Sequence, residues 1–460
     1  MMEAMNFDIT AFGANPAGNS LCTNAVNAAI EACVAAGGGT VLIPSGKFLT
    51  GPIELKSNIQ LRLDAGARLV FNDDPGLYPI VESRWEGAEV PVFMPMIYGR
   101  GVRNVSVIGL DTLEGRGAPK AQGTLNDRGI ANEQGARDRR GTLDGQYATV
   151  GQGTLDGQGS AWWKAFRNKQ LPYPRPRLIS FEDCDNVSIE NIACVNSPSW
   201  TIHPIRCSNV AIRGLHIKNP SDSPNTDGIN PDSCSNVHIS GCHIDVGDDC
   251  ITLKSGTEKS AYRIACENIV ITGCTLAHGH GGVVIGSEMS GGVRNVSITD
   301  CIFDGTDRGI RMKTRRGRGG IVEDIRISNC VMEDVLCPIV MHQFYFCGEG
   351  GKEIRVWDKN PHPVELDTPA FHRIHFYHIT ARNASIAAAF LYGLPEMPIS
   401  DVSFNTVNIS MKADAQAGIP AMMDGIEPVA RRGFICRNTK NLSFTDVAVT
   451  GYEGLEFNVK

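Results

Sequence analysis

The chain has 460 residues, with 43 Lys and Arg against 50 Asp and Glu for a formal charge of −7, together with 50 Gly, 24 Pro and 42% hydrophobic residues. Glycine stands above its usual ~7% while the apolar fraction is ordinary, which excludes a disordered or collagen-like chain and leaves a turn-rich globular one. A net-acidic chain with no apolar run near the ~18 to 20 residues of a membrane span argues against wholesale binding to nucleic acid or membrane, so a polyanionic partner would have to meet a local basic patch.

Residues 1–14 carry neither a basic leader nor an apolar core behind it, and the expected location is therefore cytoplasmic. Fifteen Cys, an odd count with no Cys-x-x-Cys pair, read as small buried hydrophobes rather than as a disulfide framework or a zinc site. Over 24–35, Val26, Ala29, Ile30 and Cys33 fall on one helical face ahead of the Gly37-Gly-Gly-Thr turn and the strand Val41-Leu-Ile. This short helix is expected to lid an open end, within a cap of about 1–60.

Between 110 and 162 the pieces Asp111-Thr-Leu-Glu, Gly123-Thr-Leu-Asn, Gly141-Thr-Leu-Asp and Gly153-Thr-Leu-Asp repeat in a polar stretch nearly free of large apolar residues. The reading is an inserted loop over about 115–151, with 153–157 regaining the register of the body.

A second repeat runs through the rest. Asn104-Val-Ser-Val, Asn186-Val-Ser-Ile, Asn209-Val-Ala-Ile, Asn236-Val-His-Ile, Asn268-Ile-Val-Ile, Asn295-Val-Ser-Ile and Asp324-Ile-Arg-Ile recur roughly every 25 to 30 residues, with weaker copies at Arg373, Asp401 and Asn441. Alternating apolar positions of this kind are strands, and nothing between them is long enough for helical crossovers. The architecture predicted is all-β, a single right-handed parallel β-helix in which equivalent residues of successive coils lie ~4.8 Å apart.

Four polar clusters interrupt the apolar coils: Asn225-Thr-Asp-Gly, Gly247-Asp-Asp-Cys, Gly279-His-Gly and Arg311-Met-Lys. Each is about one coil from the next, so Asp227, Asp248, Asp249, His280, Arg311 and Lys313 can share one face. Singly, Asp227 would read as a turn residue, His280 as structural, and the basic run Arg315, Arg316 and Arg318 as a solvated loop. Together, close carboxylates imply pKa values pushed apart, the logic of glycoside hydrolysis, and the cations imply an anionic substrate.

These four clusters, with Pro52-Ile-Glu-Leu-Lys-Ser-Asn and Val284-Ile-Gly-Ser-Glu-Met-Ser-Gly-Gly, resemble the signatures of the polygalacturonases, glycoside hydrolase family 28. The resemblance implies hydrolysis of α-1,4-galacturonosidic bonds with inversion, no cofactor or metal, and a pectic oligo- or polysaccharide as the partner. By it, Asp248 is the general acid, Asp227 and Asp249 position and deprotonate water, and His280 supports the acid. Arg311 and Lys313 hold a uronate carboxylate, Tyr345 is the match to a tyrosine of the following coil, and Asn225 binds substrate. Met312 stands where the family usually has Ile, a packing change. The resemblance also raises a disulfide between Cys250 and Cys274, against which the missing leader favours free thiols.

Resemblance to bacterial members of the family that carry the insertion from Asp73-Asp-Pro to Ile97-Tyr, together with the missing leader, implies chain-end attack on short oligogalacturonides. Three other readings stay open: a rhamnogalacturonan or other pectin-backbone hydrolase, a calcium-dependent pectate lyase using the same carboxylates, and a noncatalytic carbohydrate-binding β-helix.

Overall fold

Each Asn-Val repeat marks a turn of the backbone through the left-handed region. Asn104, Asn186, Asn209, Asn236, Asn268 and Asn295 have φ between 54° and 58°, a conformation that costs most L-residues free energy and that Asn tolerates. Their side chains then bond from coil to coil. Asn104 Nδ2 donates to Asn58 Oδ1 at 2.8 Å, Asn236 to Asn209 and Asn268 to Asn236 at 3.2 Å, and Asn295 to Asn268 at 3.1 Å. At the weaker copies the column changes chemistry: Arg373 Nε donates to Asp324 at 2.9 Å, and Asn441 to Asp401 at 2.9 Å.

The computed structural model, which describes residues 5–110, 152–348 and 350–460, is the right-handed parallel β-helix that these turns imply. Register is kept over nearly the full length: Val105, Val187, Val210, Val237, Ile269, Val296, Ile325, Ile374 and Val402 are successive partners in one column, all buried. Toward the C-terminus an inward column becomes aromatic, with the Phe376, Phe404 and Phe444 rings stacked 5.0 and 5.2 Å apart. A second sheet carries Asp249–Leu253, Gly281–Gly286, Arg308–Lys313 and Cys337–His342 side by side.

Helix Thr23–Ala35 buries Ala25, Val26, Ala29, Ile30 and Cys33, the expected face. Strands Asn6–Asp8 and Gly39–Ile43 already pair as the first coils, so the solenoid begins inside the first 60 residues and the helix alone is the lid. Thr154–Asp156 pairs with the coils on both sides and regains the register; the loop expected over 115–151 lies outside the described residues. All fifteen cysteines are free thiols, and the Cys250 Sγ faces the Ala277 and His278 carbonyls at 3.7 and 3.8 Å. Among the described residues no helix is long and apolar enough to cross a membrane.

Two elements have no counterpart in the repeat. Helix Gly159–Arg167 buries Trp162 edge-on against Tyr78 and Phe93, with centroids 5.2 and 5.3 Å away. Strands Ile80–Trp85 and Ala88–Phe93 form an antiparallel hairpin. Its two-residue turn, Glu86-Gly87, has φ of 47° and 76°, positive at both positions as the tight hairpin turns require. Arg84, fully buried, fixes the hairpin to the solenoid through Asp232 Oδ1 at 2.8 Å and Ser233 Oγ at 2.9 Å, while Arg177 donates to the Arg84 carbonyl at 2.7 Å.

The asparagine ladder separates backbone from side-chain effects at one position. Asn236→Gly keeps the left-handed turn and loses only the amide bonds, whereas Asn236→Ala also incurs about 1 to 2 kcal/mol of left-handed strain. Urea denaturation midpoints should therefore rank wild type above Gly above Ala, the reverse of the usual Ala-over-Gly order.

Candidate active site

The bend at Val246-Gly247-Asp248 leads into strand Asp249–Leu253, which places the two adjacent carboxylates outside the apolar core. Gly247 is required there because a Cβ would lie 2.6 Å from the carbonyl oxygens of Pro220 and Ser223. Asp227, one coil earlier, joins this layer through the Gly228 amide, which donates to the Asp249 carbonyl at 3.0 Å. One coil later the His280 amide donates to the Asp248 carbonyl at 3.2 Å. The flanking glycines have separate reasons. Gly279 has φ of 72° and no room beside the Asp248 carbonyl, 2.2 Å from where its Cβ would be; a Cβ on Gly281 would meet Val284 at 2.5 Å and Asp249 Oδ1 at 3.1 Å.

Three carboxylates thus meet in three different environments. Asp249 is buried with both oxygens engaged, Oδ2 by Lys313 Nζ at 2.8 Å and Oδ1 by Arg311 Nη1 at 3.3 Å. Burial opposes its charge, but Lys313 and Arg311 outweigh burial and hold its pKa down to about 2. Asp227 is equally buried, with Lys254 Nζ 3.6 Å away and a long 3.5 Å bond from Thr252. Burial first, then the neighbouring Asp248 charge, push it up to about 8. Asp248 is half-buried and accepts from the Asp249 amide at 3.0 Å, with His280 Nδ1 3.2 Å from the same Oδ1; that contact raises the pKa of the histidine. The site therefore keeps Asp249 ionised and Asp227 protonated near neutrality.

The cations bracket this layer. Lys313 lines a cavity of about 300 Å³ together with Asn225, Asp227, Asp248, Asp249 and Tyr345, and Tyr345 places its ring 5.3 Å from Lys313 Nζ. Arg311 stands behind, its Nη2 against Met422 Sδ at 2.9 Å. Asn225 is held by Arg175, whose Nη2 donates to its Oδ1 at 2.7 Å. His280 lies on the outer, more exposed side of Asp248. All eight residues expected from sequence are thus gathered in one region.

The basic run that follows does not behave as a solvated loop. Arg315, Arg316 and Arg318 are buried: Arg315 and Arg318 pair with Glu258, and Arg316 makes a two-bond pair with Glu396 at 2.6 and 2.9 Å. These guanidinia also donate to chain carbonyls, as Arg316 does to Arg355 and Asp358, and so clamp the long loops beside the cavity.

Lys254, Glu288, Trp200 and Glu86 line the same cavity and were not anticipated. Lys254 pairs with Glu288 at 3.2 Å and lies 3.8 Å over the Trp200 ring. A signal for it exists: through Gly286, Lys254 occupies the same column as Lys313, two coils earlier. Trp200 stacks on Trp85 of the hairpin at 4.5 Å, a pairing of two insertions that no repeat reveals.

A family model for glycosyl hydrolases family 28 matches residues 142–423. A probable polygalacturonase of Vitis vinifera is 32% identical over 426 residues, 90% of this chain and 76% of that relative. An endo-polygalacturonase of Pectobacterium carotovorum subsp. carotovorum is 30% identical over 347 residues, 73% of this chain and 75% of that one. Among solved structures, an exopolygalacturonase from Thermotoga maritima superposes with a TM-score of 0.75 at 26% identity, covering 99% of this chain and 94% of that one.

A carboxyl whose pKa is raised on folding contributes stability that is complete below its unfolded value, ~3.9, and is lost as pH rises toward the folded value of about 8. Asp227→Asn mimics the protonated form at every pH. Its melting temperature should exceed that of wild type by a margin that widens from about pH 4 to pH 8, while turnover falls at least ~100-fold. A margin that is flat across this range would mean that Asp227 folds ionised.

Proposed function

From the premise that the chain belongs to glycosyl hydrolase family 28 and is a polygalacturonase-type hydrolase of pectic polysaccharide, we propose that it removes galacturonate units from the ends of oligogalacturonides, with inversion at the anomeric carbon. The observation that carries the chain-end reading is the hairpin Ile80–Trp85 and Ala88–Phe93. Glu86 at its tip lines the cavity, and in this reading the hairpin closes that side to a long chain. The Thermotoga maritima relative, itself named an exopolygalacturonase, supports the same reading.

In this mechanism Asp249, ionised by Lys313 and Arg311, takes a proton from the attacking water, which Asp227 helps to position. Asp227, which holds a proton near neutrality, passes it to Asp248, and Asp248 donates it to the glycosidic oxygen as the bond breaks. His280, charged by its contact with Asp248, favours return of Asp248 to the carboxylate after that transfer and recruits the next proton. Lys313 has donors left over after Asp249 and faces the cavity, so it receives the uronate carboxylate; Arg311 serves mainly to keep Asp249 ionised. Asn225, fixed by Arg175, and Tyr345 complete the walls. Because both oxygens of Asp249 are engaged by cations, the carboxylates are poorly disposed to ligate calcium, and hydrolysis is favoured over elimination.

Four results are expected. Polygalacturonate should yield monomer or one short product from the first minutes, whereas a ladder of oligomers would replace the chain-end reading with internal cleavage. Proton NMR of fresh product should show the β-anomer from the α-linked substrate. Asp248→Asn should fold normally and lose at least ~100-fold in turnover. A chelator should leave the rate unchanged, and loss of activity on chelation would revive the lyase.

A further inference from the structure

The hairpin turn brings into the cavity one side chain that no step above uses. Glu86 is held there from both sides. Behind it, Trp85 stacks on Trp200 and Arg84 is locked to Asp232. Ahead of it, the Gly87 carbonyl accepts from the Thr257 amide at 3.2 Å, from Thr257 Oγ1 at 2.9 Å and from Ser260 Oγ. A Cβ on Gly87 would lie 2.4 Å from Thr257 Cγ2, so the turn is seated as closely as its backbone allows. Among the described residues the Glu86 carboxyl has no hydrogen-bond partner; burial and then the Glu288 charge push its pKa up, and Lys254, Arg175 and Arg318 oppose that shift.

The cavity is lined by Lys313 and Tyr345 from later coils and by Trp200 and Glu86 from earlier segments of the chain, with the carboxylates between them. In the chain-end reading the leaving group takes the side of Lys313 and Tyr345, and the sugar attacked at C1 takes the side of the hairpin. That sugar is the non-reducing terminus. In an internal unit O4 is tied into the next glycosidic bond, whereas in a terminal unit it is a free hydroxyl. An ionised carboxyl accepts hydrogen bonds and donates none, so Glu86, which lines the cavity from the hairpin tip, suits a hydroxyl and repels a uronate carboxylate, which Lys254 is better placed to receive.

We propose that Glu86 accepts a hydrogen bond from the free C4 hydroxyl of the terminal galacturonate, and thereby selects saturated non-reducing ends over the 4,5-unsaturated ends left by β-elimination. In β-elimination H5 is removed as a proton, the C4–O4 bond breaks, and the departing chain keeps the oxygen. The new end has a C4=C5 double bond and no O4 for Glu86 to read. The enzyme would thus consume fragments made by hydrolases and discriminate against those made by lyases. This inference rests on the chain-end reading.

The test uses two trigalacturonates that differ only at that terminus, one saturated and one 4,5-unsaturated. Wild type should favour the saturated substrate in kcat/KM by roughly ten- to a hundredfold, the range for one charge-assisted hydrogen bond. Glu86→Ala should bring the ratio to within about threefold of unity through loss on the saturated substrate alone, and Glu86→Gln, a weaker neutral acceptor, should fall between. Thermal unfolding of both variants close to that of wild type would show that the hairpin is intact, and should Glu86→Ala not fold, Glu86→Gln decides alone. A wild type indifferent to the terminus, or variants that keep the parental ratio, would overturn the proposal. Failure of the chain-end reading is seen separately, as an oligomer ladder from polygalacturonate.

Discussion

Everything in this molecule depends on coils that stack without slipping. A parallel ladder places like positions ~4.8 Å apart, and a one-residue slip would turn every inward side chain outward. The left-handed Asn at the head of most coils guards against this, because its φ is accessible to few residues and its amide bonds to the neighbouring coil, to the equivalent Asn in most cases and to Asp185 at Asn209. The apolar columns supply the driving force and the asparagine column the register. With register fixed, chemistry can be written into columns: Lys254 and Lys313 share one column with Gly286 between them, and Asp227, Asp249 and Gly281 lie in register in another.

Proximity alone would make the three aspartates a liability. Like charges this close resist joint ionisation, and a buried carboxylate without a partner is costly. The structure resolves the conflict by unequal neutralisation. Two cations are spent on Asp249, which becomes the fixed negative charge of the site. Lys254 is divided between Asp227 and Glu288, leaving Asp227 undercompensated and protonated near neutrality. Asp248 is nearer to solvent and to His280. The carboxyls are thus distinguished by which cations reach them.

The coil and the catalytic layer could be read from the chain because both obey its period. The Asn-Val repeat gave the strands, the helical face of Val26, Ala29, Ile30 and Cys33 gave the lid, and four clusters at coil spacing gave Asp227, Asp248, Asp249, His280, Arg311 and Lys313. What escaped lies in segments that break the period. The insertion from Asp73 to Ile97 is legible, but not its folding into the hairpin Ile80–Trp85 and Ala88–Phe93; like the helix Gly159–Arg167 it carries no repeat, and the hairpin's partners, Asp232 for Arg84 and Trp200 for Trp85, are more than a hundred residues away. Arg315, Arg316 and Arg318 misled for a related reason: a cluster of charge reads as solvated until the acids that bury it, Glu258 and Glu396, are known from elsewhere in the chain.

The same division has an energetic side. A buried ion pair such as Arg84 with Asp232 gains little over an apolar contact of the same shape, yet removing one partner strands a charge and costs about 3 to 5 kcal/mol. As a source of stability it is a poor choice; as a way to demand one docking geometry for an appended hairpin it is effective. Ser83, Arg84 and Arg177 all depend on that geometry, and Glu86, two residues beyond, inherits it. The hairpin forms a two-stranded sheet of its own, apart from the ladders of the solenoid, so its shape is set separately from the columns that hold the carboxylates. Under the chain-end reading, where a chain is cut is set by this attachment to the fold, and how it is cut by the columns within it.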